Sequence, residues 1–282
     1  MKTLNSKYKL TLAATPIGNL SEVNQRFLNA LQTTDILLCE DTRVIKKLLS
    51  LLGVNKHYEY IKFDLFSEHN NLEQIIELIH DGKNIMMLSD AGYPTISDPG
   101  YNLVSKCIAE GIAINVINGP CSIIHALVGS GFSSREFLFL GFLGKTKTER
   151  MNSLKKYSDI EITMVILESV HRLKQCLTDI YEVYGNQKIC IARELTKLHE
   201  EFIYIDLASA IDIDLELKGE FVIVLEKKNS NVEWDQQLII NEIKQLINDG
   251  LKTKEISQYI ANKYHLDNKE WYKKIIELKK EI

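Results

Sequence analysis

No stretch of this sequence is apolar over the roughly 18 consecutive residues that suggest a membrane-spanning helix. The first residues contain a short apolar run that ends in a turn, without the small-residue cleavage site of a signal peptide. We therefore expect neither a membrane span nor a signal peptide, and we expect a cytoplasmic protein.

Cysteine is sparse, since the 282 residues contain five, and these are widely spaced in apolar surroundings. An odd number of cysteines at such spacing is not typical of a disulfide framework or of a zinc site. We expect reduced cysteines that pack in the core.

The sequence also lacks the short motifs of several large enzyme classes. It contains no G-x-x-x-x-G-K-[ST], H-E-x-x-H or G-x-S-x-G motif, and residues 129–134 lack the third glycine and the preceding strand of a dinucleotide-binding fingerprint. These absences argue against P-loop enzymes, zincins, α/β-hydrolases and classical dehydrogenases.

What the chain does have is the composition of a soluble globular protein, with 45% hydrophobic and 26% charged residues. Its length suffices for two domains and a small appendage. The net charge of −4 argues against a protein that simply coats nucleic acid, although it allows a local basic face.

The most distinctive stretch is NIMMLSDAGYPTISDPGY, residues 84–101. Its apolar residues 85–88 predict a buried strand, and the glycines, prolines and aspartates that follow predict a ligand-binding loop. Such loops lie beyond the carboxyl ends of parallel strands, where ligands bind. Asp90 and Asp98 supply hydrogen-bond acceptors there. The competing interpretation is a surface turn.

Strands and helices alternate along the first part of the chain, which predicts an α/β fold with a mostly parallel sheet covered on both faces. Ser21 is expected to cap the first helix. Later strands follow one another without helices, which indicates a second α/β unit with a more mixed sheet. Three short amphipathic helices are predicted at the end. The predicted division is residues 1–118, 119–230 and 231–282.

Polar clusters follow the predicted strands, and a single crevice between two α/β halves would gather them. They read TPIGN, EDTR, SDAGYPTISDPG, NGPCS, ESVHR and ARELTK. With SGF and GFL-x-K, in this order and at these separations, they closely resemble the tetrapyrrole-methylase-like superfamily, and within it the ribosomal RNA small subunit methyltransferase I family. The resemblance covers essentially the whole chain.

The resemblance implies two α/β domains of the tetrapyrrole methylase type, with S-adenosylmethionine in the crevice between them, a small helical module and a homodimer. It also implies 2′-O-methylation of a cytidine in the decoding region of 16S rRNA, within the small ribosomal subunit. No metal is implied, because the sulfonium is already activated. The implied cofactor contacts are Pro16, Ser89, Asp90, Ala91, Gly92, Ile96, Asp98, Gly119, Cys121, Ser122, Leu167, Glu168, Ser169, Leu195 and Thr196.

Methylation of a ribose hydroxyl needs positioning and a group that helps to remove a weakly acidic proton. The sequence does not single out one base, and an interdomain salt bridge is the competing interpretation for each charged candidate. The candidate catalytic residues are Glu40, Asp41, His69, Glu168, His171 and Glu194, with Arg43 orienting a carboxylate or holding a phosphate.

RNA binding requires positive charge, which residues 143–156 and the strand-end clusters offer. The proposed RNA-binding side chains are Lys145, Lys147, Arg150, Arg172, Arg193 and Lys197. Residues 241–282 hold nine lysines and seven acidic residues. That tail either positions folded RNA or presents a solvated lysine face.

Several positions depart from the family pattern. Asn118, Gly144 and Val170 stand where proline is usual, Cys121-Ser122 replaces Ser-Ala, and Asn71 stands where glutamate is usual. We expect less rigid loops and an unchanged reaction. Two alternatives stay open at this point: a corrin or siroheme-pathway methylase on the same fold, and a non-catalytic RNA-binding assembly factor.

Overall fold

The computed structural model describes residues 9–64, 67–211, 219–226, 236–264, 266 and 268–281. The chain forms two compact units, Met1–Lys227 and Lys228–Ile282. In these described ranges, no helix has both the length and the apolar character needed to cross a membrane.

The first sheet of the larger unit has five strands, all parallel, in the order β3-β2-β4-β1-β5. The strands are β1 Lys9–Ala13, β2 Ile36–Cys39, β3 Glu59–Lys62, β4 Ile85–Leu88 and β5 Ala113–Ile117. The prediction of a parallel sheet is confirmed. The sequence predicts a first strand over Tyr8–Ala14. Its described part is Lys9–Ala13, and Tyr8 lies outside the described residues.

Helices cover both faces of this sheet. They are α1 Gln25–Thr33, α2 Thr42–Leu51, α3 Glu68–His80 and α4 Tyr101–Ala109. Ile75 of α3 and Leu103 of α4 pack in the core on one face, and Phe27 of α1 and Ile45 of α2 pack in the core on the other. Burial of both faces explains why the central strand β4 is an unbroken apolar run.

The start of the first helix differs from the prediction that Ser21 caps it. Residues Leu20–Glu22 form a short 3-10 turn, and α1 begins only at Gln25. The side chain of Asn24 accepts a hydrogen bond from the backbone N–H of Phe27, so the amide of Asn24 provides the cap. Ser21 instead donates its hydroxyl to Asn19.

The second sheet has the order β6-β7-β10-β8-β9 and mixes parallel with antiparallel pairs, as predicted. Its strands are β6 Phe137–Phe142, β7 Thr163–Ser169, β8 Lys188–Arg193, β9 Glu201–Asp206 and β10 Glu220–Leu225. The helices of this region are α5 Ser122–Ser130, α6 Lys147–Lys155, α7 Leu173–Tyr184 and α8 Leu207–Ala210. α6, α7 and α8 cover one face, while α5 packs on the other.

The smaller unit contains the predicted amphipathic helices, α9 Gln236–Asn248, α10 Thr253–Tyr264 and α11 Asn268–Glu281. They share a core of their own, in which Ile243, Ile260, Trp271 and Ile275 are buried. The apolar faces of the three helices therefore pack on one another. The division of the chain at residues 118/119 and 230/231 stays a proposal.

Candidate active site

A cavity of about 430 Å³ opens where the carboxyl-end loops of the first sheet meet the second sheet. The loops after β1, β4 and β5 contribute from one side, and β7 and β10 contribute from the other. This volume lies within the range of small-molecule sites, which bury most of their ligand. Its walls combine apolar side chains with a few carboxylates.

Backbone hydrogen bonds hold the first two of these loops together. Thr15 and Gly92 exchange N–H···O bonds of 2.9 and 3.1 Å, and the hydroxyl of Thr15 donates to the carbonyl of Ser89. The backbone N–H of Gly119, in the loop after β5, donates to the hydroxyl of Tyr93. The three loops thus form one connected wall.

Most of the proposed cofactor contacts lie around this cavity. The lining includes Asp90, Ala91, Gly92, Ile96, Asp98, Cys121, Ser122, Leu167, Glu168, Ser169 and Leu195. Pro16, Ser89, Gly119 and Thr196 are outside the lining. At Gly119 packing explains the glycine, since a Cβ there would lie 2.9 Å from the Cβ of Ala14.

Backbone strain is concentrated in the loops next to the cavity. Among the residues described, the non-glycine residues with positive φ are Thr95, Ser97, Glu194 and Thr196. All four lie in the loop after β4 or in the loop after β8. Such conformations cost about 1–3 kcal/mol each and persist where the surroundings fix them. The two loops are therefore held in defined shapes.

The carboxylates of the cavity have perturbed proton affinities. Burial, with smaller contributions from Glu40 and Asp90, raises the pKa of Asp98 to about 6. Burial also raises the pKa of Asp90 and that of Glu40. A half-buried group of acidic side chains of this kind favours a cation as its partner.

The EDTR cluster lies beside the main cavity. Glu40, Asp41 and Arg43 line a second cavity that shares Asp90 with the first. Arg43 pairs with Asp41 at 2.6 Å and, by donating hydrogen bonds, holds the pKa of that partly buried carboxyl at about 2. Glu40, with its raised pKa, is the better proton acceptor of the two carboxylates.

The remaining base candidates are less well placed. His171 is exposed and outside both cavity linings. Glu194 accepts hydrogen bonds from the ammonium of Lys197 and the backbone N–H of Glu220, which lowers its pKa. The side chain of His69 lies outside the described part of the molecule.

Glu168, another candidate base, lies in a different environment from Glu40. Its side chain is fully buried, and Oε1 accepts from the guanidinium of Arg172 and from the backbone N–H of Ser169. Through Oε1, Glu168 fixes the turn that carries Arg172. Its other oxygen, Oε2, is buried without a hydrogen-bond partner among the described residues, and Glu168 lines the cavity, so its role as a base stays a prediction.

The prediction that Arg150 binds RNA needs correction. Its guanidinium donates to Asp179 at 2.6 Å, and both side chains are only 4% exposed. It also donates to the carbonyl of Lys145. The ion pair therefore fixes the loop between β6 and α6, and we leave Arg150 out of the proposed RNA-binding set.

The other proposed RNA-binding residues vary in exposure. Lys145 and Lys147 are exposed, and Lys147 pairs with Glu182. Arg172, Arg193 and Lys197 are partly buried and each pairs with a glutamate. Of the five remaining residues, Lys145 and Lys147 are thus the most accessible to a phosphate.

Two parts of the cavity were missed by the sequence predictions. Residues 219–222 line it because β10 runs antiparallel to β7 and β8, so the amino end of β10 lies beside their carboxyl ends. Searching only for clusters after strands overlooks such a segment. Phe142, at the end of β6, also lines the cavity. The GFL motif contains this residue, but its sequence does not indicate a place in the site.

The absence of proline at residue 144 has a local explanation. A Cβ on Gly144 would lie 2.2 Å from the Cβ of Glu149, whose carboxylate completes the capping box of α6 with Thr146. We expect Gly144→Ala to lower the free energy of unfolding by about 1–3 kcal/mol because the first turn of α6 must shift. Urea denaturation measures the change, and the exposed Thr148→Ala on the same helix serves as control. Equal midpoints for both variants would contradict the clash.

The two sheets with a shared cavity at their loops form an α/β fold of the tetrapyrrole methylase type. Residues 9–212 match the family model "Tetrapyrrole (Corrin/Porphyrin) Methylases". Among solved structures, the methyltransferase CobJ superposes with a TM-score of 0.60 at 15% identity, covering 78% of this chain and 95% of that one. Diphthine synthase gives 0.59 at 11%, covering 77% and 89%. The predicted fold class is confirmed.

Curated relatives narrow the family further. The ribosomal RNA small subunit methyltransferase I of Mycoplasma pneumoniae is 41% identical over 268 residues, covering 93% of this chain and 96% of the relative. The protein of the same name from Bacillus subtilis is 32% identical over 271 residues, covering 93% and 92%. The chain belongs to the ribosomal RNA small subunit methyltransferase I family, as the sequence motifs predicted.

Proposed function

We propose that this protein transfers a methyl group from S-adenosylmethionine to the ribose 2′-oxygen of a cytidine in the decoding region of 16S rRNA. It acts in the cytoplasm, on the small ribosomal subunit and as a homodimer. The observation that carries the proposal is the cavity between the two sheets, in a chain of this family. A solved relative of the same fold, uroporphyrin-III C-methyl transferase from Thermus thermophilus, is described as complexed with S-adenyl homocysteine (TM-score 0.55, 14% identity, covering 78% of this chain and 97% of that one).

The cavity suits a cationic cofactor with apolar parts. Ile17, Ile123 and Leu195 offer apolar contact, while Asp90 and Asp98 offer carboxylates for an amine or a ribose. When bound, S-adenosylmethionine supplies a methyl group that is already activated for displacement.

The protein must then hold the acceptor oxygen in line with that methyl group and accept its proton. Positioning supplies most of the acceleration, and a base adds roughly two to four orders of magnitude. Glu40 is the candidate acceptor that the geometry favours, because it lies beside the cofactor cavity and burial raises its pKa. Asp41 remains a candidate with weaker support.

Methylation mapping is the direct test. We expect 2′-O-methylation at a cytidine of the decoding region in 16S rRNA from cells that contain the gene, and its loss from cells that lack it. Complementation with the wild-type gene restores the modification, and complementation with Glu40→Gln restores less of it. An unchanged methylation map in the deletion strain would rule the proposal out.

Two further measurements separate the alternatives. Calorimetry with S-adenosylmethionine distinguishes an enzyme from a non-catalytic assembly factor, since the latter need not bind it in the micromolar range. Transfer of labelled methyl to small ribosomal subunits is then compared with transfer to a porphyrinoid. Label in the porphyrinoid alone would identify a tetrapyrrole methylase instead.

A further inference from the structure

An irregularity in strand β6 determines where the side chain of Phe142 points. Phe139 pairs with Val165 of β7 and Phe142 pairs with Leu167, so Leu140 and Gly141 on β6 oppose Ile166 alone on β7, and the register shifts between Phe139 and Gly141. The extra residue is a β-bulge, and Gly141 adopts the positive φ of 64° that such a bend uses.

The bulge reverses the expected orientation of Phe142. In a regular strand, residues three apart point to opposite faces. Phe139 packs with Val165 and Leu167 on the α5 side of the sheet, whereas Leu138 packs with the core on the other face. Without the bulge, Phe142 would share the face of Leu138 and enter that core. With the bulge it pairs in phase with Leu167 and lines the cofactor cavity.

The Phe142 ring lies at the mouth of this cavity and is not enclosed by it. Its exposed fraction is 56%, the largest among the hydrophobic side chains of the lining, with Ile96 next at 43%. The following segment carries the exposed Lys145, and the guanidinium of Arg172 lies 3.4 Å from the carbonyls of residues 143 and 144. An exposed aromatic ring, followed in the chain by an exposed lysine, offers the stacking and positive charge that single-stranded nucleic acid binds.

We propose that Phe142 is a stacking platform for an unpaired nucleobase of the RNA acceptor. The inference rests on the proposed RNA substrate and adds to it a contact that places the target nucleotide. A ribose reaches a recessed cofactor only where its nucleotide leaves the helical stack, and an exposed ring holds the displaced base by its face. The bulge in β6 exists, on this view, to bring the ring out of the core.

Three variants of the full-length protein test the inference. Phe142→Ala removes the ring, Phe142→Trp keeps an aromatic face, and Phe137→Ala removes the partly exposed phenylalanine at the other end of the same strand, away from the cavity lining. The first measurement is the affinity for a short, labelled, unpaired RNA that contains cytidine, by fluorescence anisotropy. The second is the Kd for S-adenosylmethionine by calorimetry, and the third is the KM for small ribosomal subunits.

We expect Phe142→Ala to weaken RNA binding and to raise the KM for subunits roughly tenfold or more, the loss typical of one stacked base. The Kd for S-adenosylmethionine should stay within about twofold, because a ring at the mouth leaves the interior contacts intact. Phe142→Trp should bind RNA like the wild type, with quenching of its fluorescence by the stacked base. Phe137→Ala should match the wild type throughout.

Four results would overturn the inference. They are an RNA affinity of Phe142→Ala equal to that of Phe137→Ala, no RNA binding by the wild type, a loss of S-adenosylmethionine affinity in Phe142→Ala, and its conversion to a different oligomeric state in sedimentation. The third would show that the ring packs on the cofactor, and the fourth that it packs on a second copy. If the wild type binds the RNA but methylates no subunits, the proposed function fails, while the anisotropy series still decides the role of Phe142.

Discussion

Replacing Asp98 with asparagine is expected to raise the Kd for S-adenosylmethionine by about 10- to 100-fold at pH 8, the loss typical of a hydrogen bond to a charged group. The carboxylate lines the cavity and is half-buried among Glu40 and Asp90, where a cation relieves their mutual repulsion. Calorimetry measures the change, and Asp81→Asn, on an exposed turn, is the control.

The same variant should alter the pH dependence. In the free protein the pKa of Asp98 is about 6, so the wild-type carboxyl is protonated below that pH. Affinity for a cationic ligand should then rise with pH, by up to about tenfold per unit, and level off above pH 6, whereas Asp98→Asn should lose most of this rise. Glu40 and Asp90 lie near Asp98 and also have raised pKa values, so they account for the pH dependence that remains in the variant. Identical pH profiles for the two proteins would contradict a charged contact.

The folding stability of the wild type should fall as pH rises, whereas its affinity for the cationic ligand should increase. The pKa of Asp98 in the folded protein lies above its ordinary value of about 3.9. Protonation of Asp98 therefore contributes fully to folding stability below about pH 3.9, and this contribution is lost as pH rises through 6. Asp98→Asn removes this loss, so the variant should gain stability relative to the wild type between pH 4 and pH 8. Thermal unfolding at both pH values measures the gain.

Replacing Arg150 with leucine should lower the free energy of unfolding by about 3–5 kcal/mol, since it leaves the buried carboxylate of Asp179 without its partner. Lys147→Ala on the same helix is the matched control. Its ion pair with Glu182 is solvent-exposed, so its loss should leave the urea midpoint close to that of the wild type. Urea denaturation compares the two.

A double variant separates the charge from the packing. Arg150→Met combined with Asp179→Leu removes both buried charges and should recover most of the lost stability. Stability as low as that of the single variant would show that the guanidinium matters mainly through its bond to the carbonyl of Lys145.

The sequence predicted the elements that local physics determines. Strand β4 was identified at Ile85–Leu88 because an apolar run lay between a glycine and a turn cluster, and the clusters after β1, β4 and β5 met at one edge because parallel strands share their direction. The predicted cap of the first helix was wrong because two nearby asparagines provide the caps: Asn19 caps the 3-10 turn and Asn24 caps α1.

Other features of the site could not be predicted, because they depend on contacts between segments that are distant in the sequence. The burial of Arg150 follows from a partner brought in by tertiary packing, namely Asp179 on the neighbouring helix α7. The orientation of Phe142 follows from a register shift against another strand. The role of residues 219–222 follows from the direction of β10, which only the assembled sheet reveals.

The position of β10 also bears on how the protein is made. It is the last strand of the second sheet to leave the ribosome, yet it lies at the centre, paired with both β7 and β8. The first sheet is complete once Ile117 has emerged, whereas the inner edges of β7 and β8 stay unpaired until residues 220–225 arrive. We therefore expect a premature stop codon just before that strand to leave these edges unpaired and to produce an aggregation-prone chain without activity.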